Sequence, residues 1–209
     1  LLEYFVDSQN IYLFTITTNE IHDLKLPKTE NWNKNSIEFL FKYIELHVVT
    51  ATSLFVAKII KTHYPQIEVR ASVNMGIGTV AGIKYVKDYF DSFYLQRELN
   101  RRPELIKPLR DWCDANSKKL YLLANSGCLR HCSAHTFHDN LVAHENELGG
   151  HDNNWPGFLG VCWDYYADPD NHCSFLSDST WLRPEDLSIY DGLVDGFKLA
   201  TRSHRDPAM

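Results

Sequence analysis

The chain has 209 residues, 44% of them hydrophobic and 23% charged, with a net charge of -6. This length fits one domain, or one with an appendage, and the composition supports a sizeable core. The acidic balance argues against tight sequence-independent nucleic-acid binding, which needs Lys and Arg to neutralise phosphates. With no apolar run of about 18 residues and no signal-peptide pattern, a cytoplasmic protein that does not cross a membrane is expected. The first residue is Leu1 rather than Met, so an N-terminal segment is expected to be missing or processed away.

"EYFVDSQNIYLFTITTNE" reads as one or two strands, and "NSIEFLFKYI" as a helix. From Glu45 a rhythm sets in. "ELHVVT" is an apolar, β-branched strand, and "SLFVAKIIKTHYP" is a helix stopped by Pro65. "EVRASVNM" and "TVAGIKYVKDYF" repeat the pair. "SFYLQRE" and "RPELIKPLRDWCDAN" repeat it again, with Pro103 suited to a first helical turn. "KLYLLANSG" is the next strand. Recurring strands with helices between them predict βαβ units around a parallel sheet. After Gly127 the rhythm breaks for about 50 residues, in a segment rich in His, Cys, Trp, Asn and Asp. Long irregular segments of this kind are usually functional or disordered, and its aromatics argue against disorder. "RPEDLSIYDGL" is then a short helix and "GFKLAT" a last strand. In parallel α/β sheets ligands bind at the C-terminal strand ends. Here those ends carry Thr50, Asn74, Arg97, Asn125 and Lys198, with Cys128 just beyond one of them.

Several motifs are weak. "MGIGTVAG" places Gly76, Gly78 and Gly82 at spacings that miss the dinucleotide fingerprint, and reads as a tight strand-to-helix turn. "HENELGGH" has Leu148 where a zinc protease needs its second histidine. No Gly-x-Ser-x-Gly hydrolase signature occurs. "RELNRRPELIKPLR" is basic, but Glu98 and Glu104 make it read as a solvated, salt-bridged helix face.

The strongest signal is "GCLRHCSAHTFHDNLVAHE", with Cys128, Cys132, His131, His135, His138 and His144. Five cysteines are an odd number, and without a secretion signal a disulfide framework is not expected. Cys128, Cys132, Cys162 and Cys173 together suit an iron–sulfur cluster or zinc, and the spacing leaves open that they hold no metal. A lone Cys128 nucleophile with a nearby histidine is a further reading. Cys113 falls in a helix and reads as a structural thiol. Taken singly, the histidines read as surface residues.

"LYLLANSGCLRHCSAHTFHDNLVAHE" resembles the cysteine signature of the collagenase-like peptidase family U32. "WLRPEDLSIYDGLVDGFKLATR" resembles the second signature of that family, including Arg183, Pro184, Glu185, Asp186, Lys198 and Arg202. "EVRASVNMGIGTVAGIKYVKDYFDSFYLQRELNR" resembles the stretch before the cysteines. The resemblance spans Glu45 to Arg202. Ser126 stands where many members have Glu, and Ser133 where many have Pro.

The resemblance implies a TIM-barrel-like parallel β/α fold over residues 1–209, its closure left open, with a Cys/His-rich insertion at about 128–178. It implies oxygen-independent hydroxylation of a small molecule or RNA. The 4Fe-4S cluster it implies falls on Cys128 and Cys132, and by order on Cys162 and Cys173; zinc is the alternative. Asn125, Arg183 and Lys198 are then candidate catalytic residues, and Arg97, His135 and His138 candidate substrate ligands. The alternatives are a non-catalytic, cluster-bearing partner subunit and a peptidase. The chain is short for eight strands, which predicts six or seven and a homologous or identical second subunit, or an N-terminal segment that closes the barrel in cis.

Overall fold

The structure, a computed structural model, describes residues 2–6, 11–15, 47–138, 162 and 164–199. Seven strands form one sheet: β1 (Leu2–Val6), β2 (Ile11–Thr15), β3 (Val48–Ala51), β4 (Glu68–Ala71), β5 (Ser92–Tyr94), β6 (Lys119–Leu123) and β7 (Gly196–Lys198). Their order is β2-β1-β3-β4-β5-β6-β7. From β1 through β7 every neighbouring pair in that order is parallel. The exception is β2, which pairs antiparallel with β1 from Leu2↔Thr15 to Val6↔Ile11. Only residues 7–10 separate these two strands. A link of that length closes a hairpin, whereas a parallel neighbour needs a crossover of about a dozen residues. Among the described residues the sheet is open, so the expected β/α architecture is present without closure.

Three helices follow the strands as the periodicity predicts: α1 (Leu54–His63), α2 (Val80–Val86) and α3 (Pro103–Ala115). Ser53 caps α1 by accepting from the Val56 amide at 3.4 Å, and the helix stops before Pro65. Thr79 caps α2 through the Gly82 amide at 3.0 Å. Pro103 occupies the first turn of α3, where its missing N–H costs no hydrogen bond. The "MGIGTVAG" segment is a turn, as expected. Gly76 takes φ +64, and a Cβ on Gly78 would stand 2.3 Å from the Gln96 side-chain nitrogen.

The helices cover one sheet face. Val49, Ala51, Val69, Ala71, Phe93, Leu95, Leu120, Leu122 and Ala124 join Ala57, Ile60, Ile83, Ile106 and Leu109 in the main core. Cys113 is fully buried there, and burial pushes its thiol up to about 11. Its reading as a structural thiol stands.

The basic stretch departs from its reading as a solvated face. Arg97 and Arg110 are buried, because Arg97 turns over the strand ends and Arg110 over the strand starts. Only the Arg102–Glu104 and Lys107–Asp111 pairs are exposed, solvated bridges. The predicted helix "NSIEFLFKYI", His144 and "HENELGGH" lie outside the described residues. No described helix is long and apolar enough to cross a membrane.

Candidate functional site

The sheet face away from the helices is polar. Strand alternation turns Glu68 and Arg70 of β4, Ser92 and Tyr94 of β5, and Tyr121 of β6 to this side. Arg70 Nε donates to Glu68 Oε1 at 2.8 Å, and Ser92 Oγ donates to the same oxygen at 2.8 Å. Arg70 Nη1 reaches the Tyr94 hydroxyl at 3.5 Å, while its guanidinium lies 4.5 Å from the centre of the Tyr121 ring. The Tyr94 and Tyr121 rings are 5.3 Å apart. The Lys198 ammonium sits 5.1 Å from the centre of Tyr94, a cation–π placement. Burial pushes the Glu68 carboxyl up, but its hydrogen bonds from Arg70 and Ser92 and the Arg70 and Lys119 charges bring it below its usual value. Its contribution to stability is therefore complete above the ordinary carboxylate range and lost as pH falls through the lowered value.

At the C-terminal end of this face Arg97 Nη2 donates to Asn74 Oδ1 at 2.9 Å. Arg97 follows β5, Asn74 follows β4, Asn125 follows β6, and Lys198 ends β7. The predicted strand-end residues thus share one end of the sheet. Arg183 does not join the Arg97–Asn74 pair. It is half exposed, and its Nε lies 3.5 Å from Glu185 and 3.7 Å from Asp186. Those contacts are the local surface ion pairing open to any Arg beside Glu and Asp.

The cysteine loop leaves the same end. Its backbone is held almost residue by residue. Leu182 N donates to Ala124 O at 2.8 Å, Thr180 Oγ1 to Ser126 O at 2.9 Å, and Thr180 N to Cys128 O at 2.8 Å. Tyr166 Oη donates to Gly127 O at 3.1 Å. Leu129 bridges to Ser179, and His131 takes the left-handed φ of 56° to turn the chain back toward Cys132. His135 Nδ1 lies 4.0 Å from Glu98, and the His138 amide donates to Ala134 O at 2.9 Å.

Three of the four predicted ligands, Cys128, Cys132 and Cys162, lie within electrostatic reach of one another. The Cys162 thiol is pushed up first by burial and then by Cys132 and Cys128. The Tyr166 phenol is pushed up to about 12 by burial and by Cys162, Cys128, Tyr165 and Cys132. Cys173 is exposed and leads into α4 (Ser174–Ser177), outside that set. All five cysteines are free thiols, and among the described residues no three His, Cys, Asp or Glu side chains stand close enough to hold a metal ion. The donors fit soft iron or zinc in chemistry. They do not form a finished cage.

No known family model matches the chain. It is 34% identical over 118 residues to an uncharacterized protease of Methanocaldococcus jannaschii. That match covers 53% of this chain and 31% of the relative, so the chain spans about a third of its relative's length. The solved structure of the U32 peptidase Mk0906 superposes with a TM-score of 0.54 at 18% identity, over 80% of this chain and 60% of the other. The chain has the U32 fold. The U32 resemblance is borne out at the level of the fold.

In this U32-like chain, sequence reasoning placed the strand-end residues and missed the polar face beneath them. Glu68, Arg70, Tyr94 and Tyr121 were visible as the polar positions of "EVRA", "SFY" and "KLYLL", strands that alternate rather than run wholly apolar. Asn100 and Tyr166 gave no signal, because nothing in the sequence shows which carbonyls they reach.

Proposed function

We propose that this U32-like chain belongs to an iron–sulfur branch of the family. In this reading it takes part in oxygen-independent modification, of hydroxylation type, of a small molecule or RNA. The observation that supports it is that the Cys128–Cys132 loop leaves the sheet end that bears Arg97, Asn125 and Lys198, with Cys162 within electrostatic reach of both thiols. Cys128, Cys132, Cys162 and Cys173 would hold a 4Fe-4S cluster, with zinc as the alternative. Such a cluster supplies one-electron transfer when bound. Arg97, Asn125 and Lys198 would orient an anionic or polar substrate, since cations and amides fixed on a rigid face need little reorganisation. His135, whose Nδ1 lies 4.0 Å from Glu98, and His138 would be further substrate ligands. Among the described residues there is no proteolytic constellation, so a peptidase ranks last, after a cluster-bearing subunit without turnover.

The test is anaerobic purification of single Cys→Ala variants. Cys128→Ala, Cys132→Ala and Cys162→Ala, and also Cys173→Ala, are expected to lose visible iron–sulfur absorbance. Cys113→Ala is expected to keep it. Undiminished absorbance in the Cys128→Ala and Cys132→Ala proteins refutes the assignment.

The reading includes a second, homologous or identical subunit. Among the described residues β7 pairs on one side only, with β6, and exposed parallel edges are normally covered. Size-exclusion chromatography with light scattering is expected to show a dimer. A soluble monomer at micromolar concentration argues against the second subunit.

A further inference from the structure

Asn100 and Arg101 lie between β5 and α3, far in sequence from the cysteines. Asn100 is 2% exposed. Its Nδ2 donates to Leu123 O at 2.8 Å, the last residue of β6, and to Thr180 O at 2.5 Å. Arg101 continues the pattern. Its Nε donates to Trp181 O at 2.8 Å, and its Nη1 to Leu176 O at the end of α4. Its amide donates to the Tyr190 hydroxyl at 2.9 Å. Arg101 does this from φ 65°, a left-handed backbone that a residue with a long side chain seldom adopts. Such strain persists only where surrounding contacts over-determine it, and it often marks a functional device.

The carbonyls these two residues collect fall on two separate pieces of chain. One is the end of the strand that runs into Cys128. The other is the segment 176–181 that follows Cys173. Thr180 and Leu182 then complete the join through their own amides, to Cys128 O and Ala124 O at 2.8 Å each.

We propose that Asn100 and Arg101 form a latch that positions the Cys173-bearing segment against the Cys128-bearing strand end. This deepens the cysteine assignment and rests on it for its functional meaning, but the latch itself is a property of the protein without any bound group. It explains why both residues spend their donors on backbone rather than on carboxylates. A planar guanidinium presents donors in a fixed fork, and so holds two carbonyls of one segment at a set spacing. Both are positioning residues, since neither touches the thiols.

The test is residue-resolved amide hydrogen exchange on the metal-free chain. Arg101→Gly removes the fork while glycine accepts φ 65° without strain. Asn100→Asp replaces the double donor with a carboxylate facing two carbonyl oxygens. In both, the Thr180 and Leu182 amides are expected to lose at least about tenfold in protection, because each opening loses hydrogen bonds to charged or buried groups. The amides of β4 and β5 are expected to keep theirs. Arg101→Lys, which keeps the charge but not the fork, is expected to fall with Arg101→Gly. Unchanged protection at Thr180 and Leu182, an equal loss across the whole sheet, or a wild-type pattern in Arg101→Lys each overturns the latch. Iron uptake does not enter this measurement, so a failed latch and a failed cluster assignment are told apart.

Discussion

Phe93→Ala is expected to cost about 3–5 kcal/mol, the range for emptying a buried aromatic site. Phe93 is fully buried in the short strand β5. It pairs with Ala71 of β4 and Leu120 of β6, so both neighbouring strands wall it in. Its ring packs 6.4 Å from Phe90, itself fully buried at the end of the preceding connection. A site walled by sheet on two sides cannot collapse far, so the cavity persists. Domains of this kind hold only about 5–15 kcal/mol in total. Urea unfolding of the variant measures the loss. Phe55→Ala is the control: Phe55 is 72% exposed on α1, and its loss is expected to stay within about 0.5 kcal/mol. Equal costs at the two positions would mean that the helix-covered face is not the core.

Asp195→Ala comes next, at about 1–2 kcal/mol, because buried Arg110 and the Leu120 amide lose a partner while Asp195 itself is about one third exposed and partly screened by water. Asp195 Oδ2 accepts from Arg110 Nη1 at 2.5 Å and from the Leu120 amide at 2.7 Å, while its own amide donates to Leu120 O at 2.7 Å. One carboxylate thus joins α3, the start of β6 and the approach to β7. Arg110 is 8% exposed. Without Asp195 it keeps Asp114, at 2.5 Å on the exposed side of the helix, and the Lys118 carbonyl at 3.1 Å. The charge is then only partly compensated in a place where water does not reach it, and that drives the cost. Because Arg110 is buried but Asp195 is partly exposed, added salt should weaken the ion-pair part of the loss and leave the part that comes from the Leu120 amide. Thermal melts at low and high ionic strength check this. A loss that vanishes in salt would place Asp195 among surface pairs, which contribute little.

The β/α order from β3 to β7 was legible because each strand is bounded by a capping or breaking residue: Ser53 and Pro65 around α1, Thr79 before α2, Pro103 opening α3. The direction of β2 was not read, although the four-residue link to β1 carried it. The C-terminal strand-end set was legible from topology alone, since any residue just past a parallel strand lies on that side. What escaped was long-range bonding. Arg97, Arg101 and Arg110 share one basic stretch, yet one meets Asn74, one holds Trp181 O and one pairs with Asp195. Charge count along a sequence treats them alike; only the fold separates them. Cys162 and Cys173 were joined to the loop pair by order alone; Cys162 is half-buried within electrostatic reach of that pair and Cys173 is exposed. Order along the chain says nothing of either distance.

The central claim is that the strand-end thiols are ligands for iron. Quantifying iron and acid-labile sulfide in the anaerobically purified wild-type chain tests it most directly. The account predicts about four of each per chain, the content of the 4Fe-4S unit that four thiolates hold. Stoichiometric zinc without sulfide, or protein free of metal with five reactive or buried thiols, would contradict it.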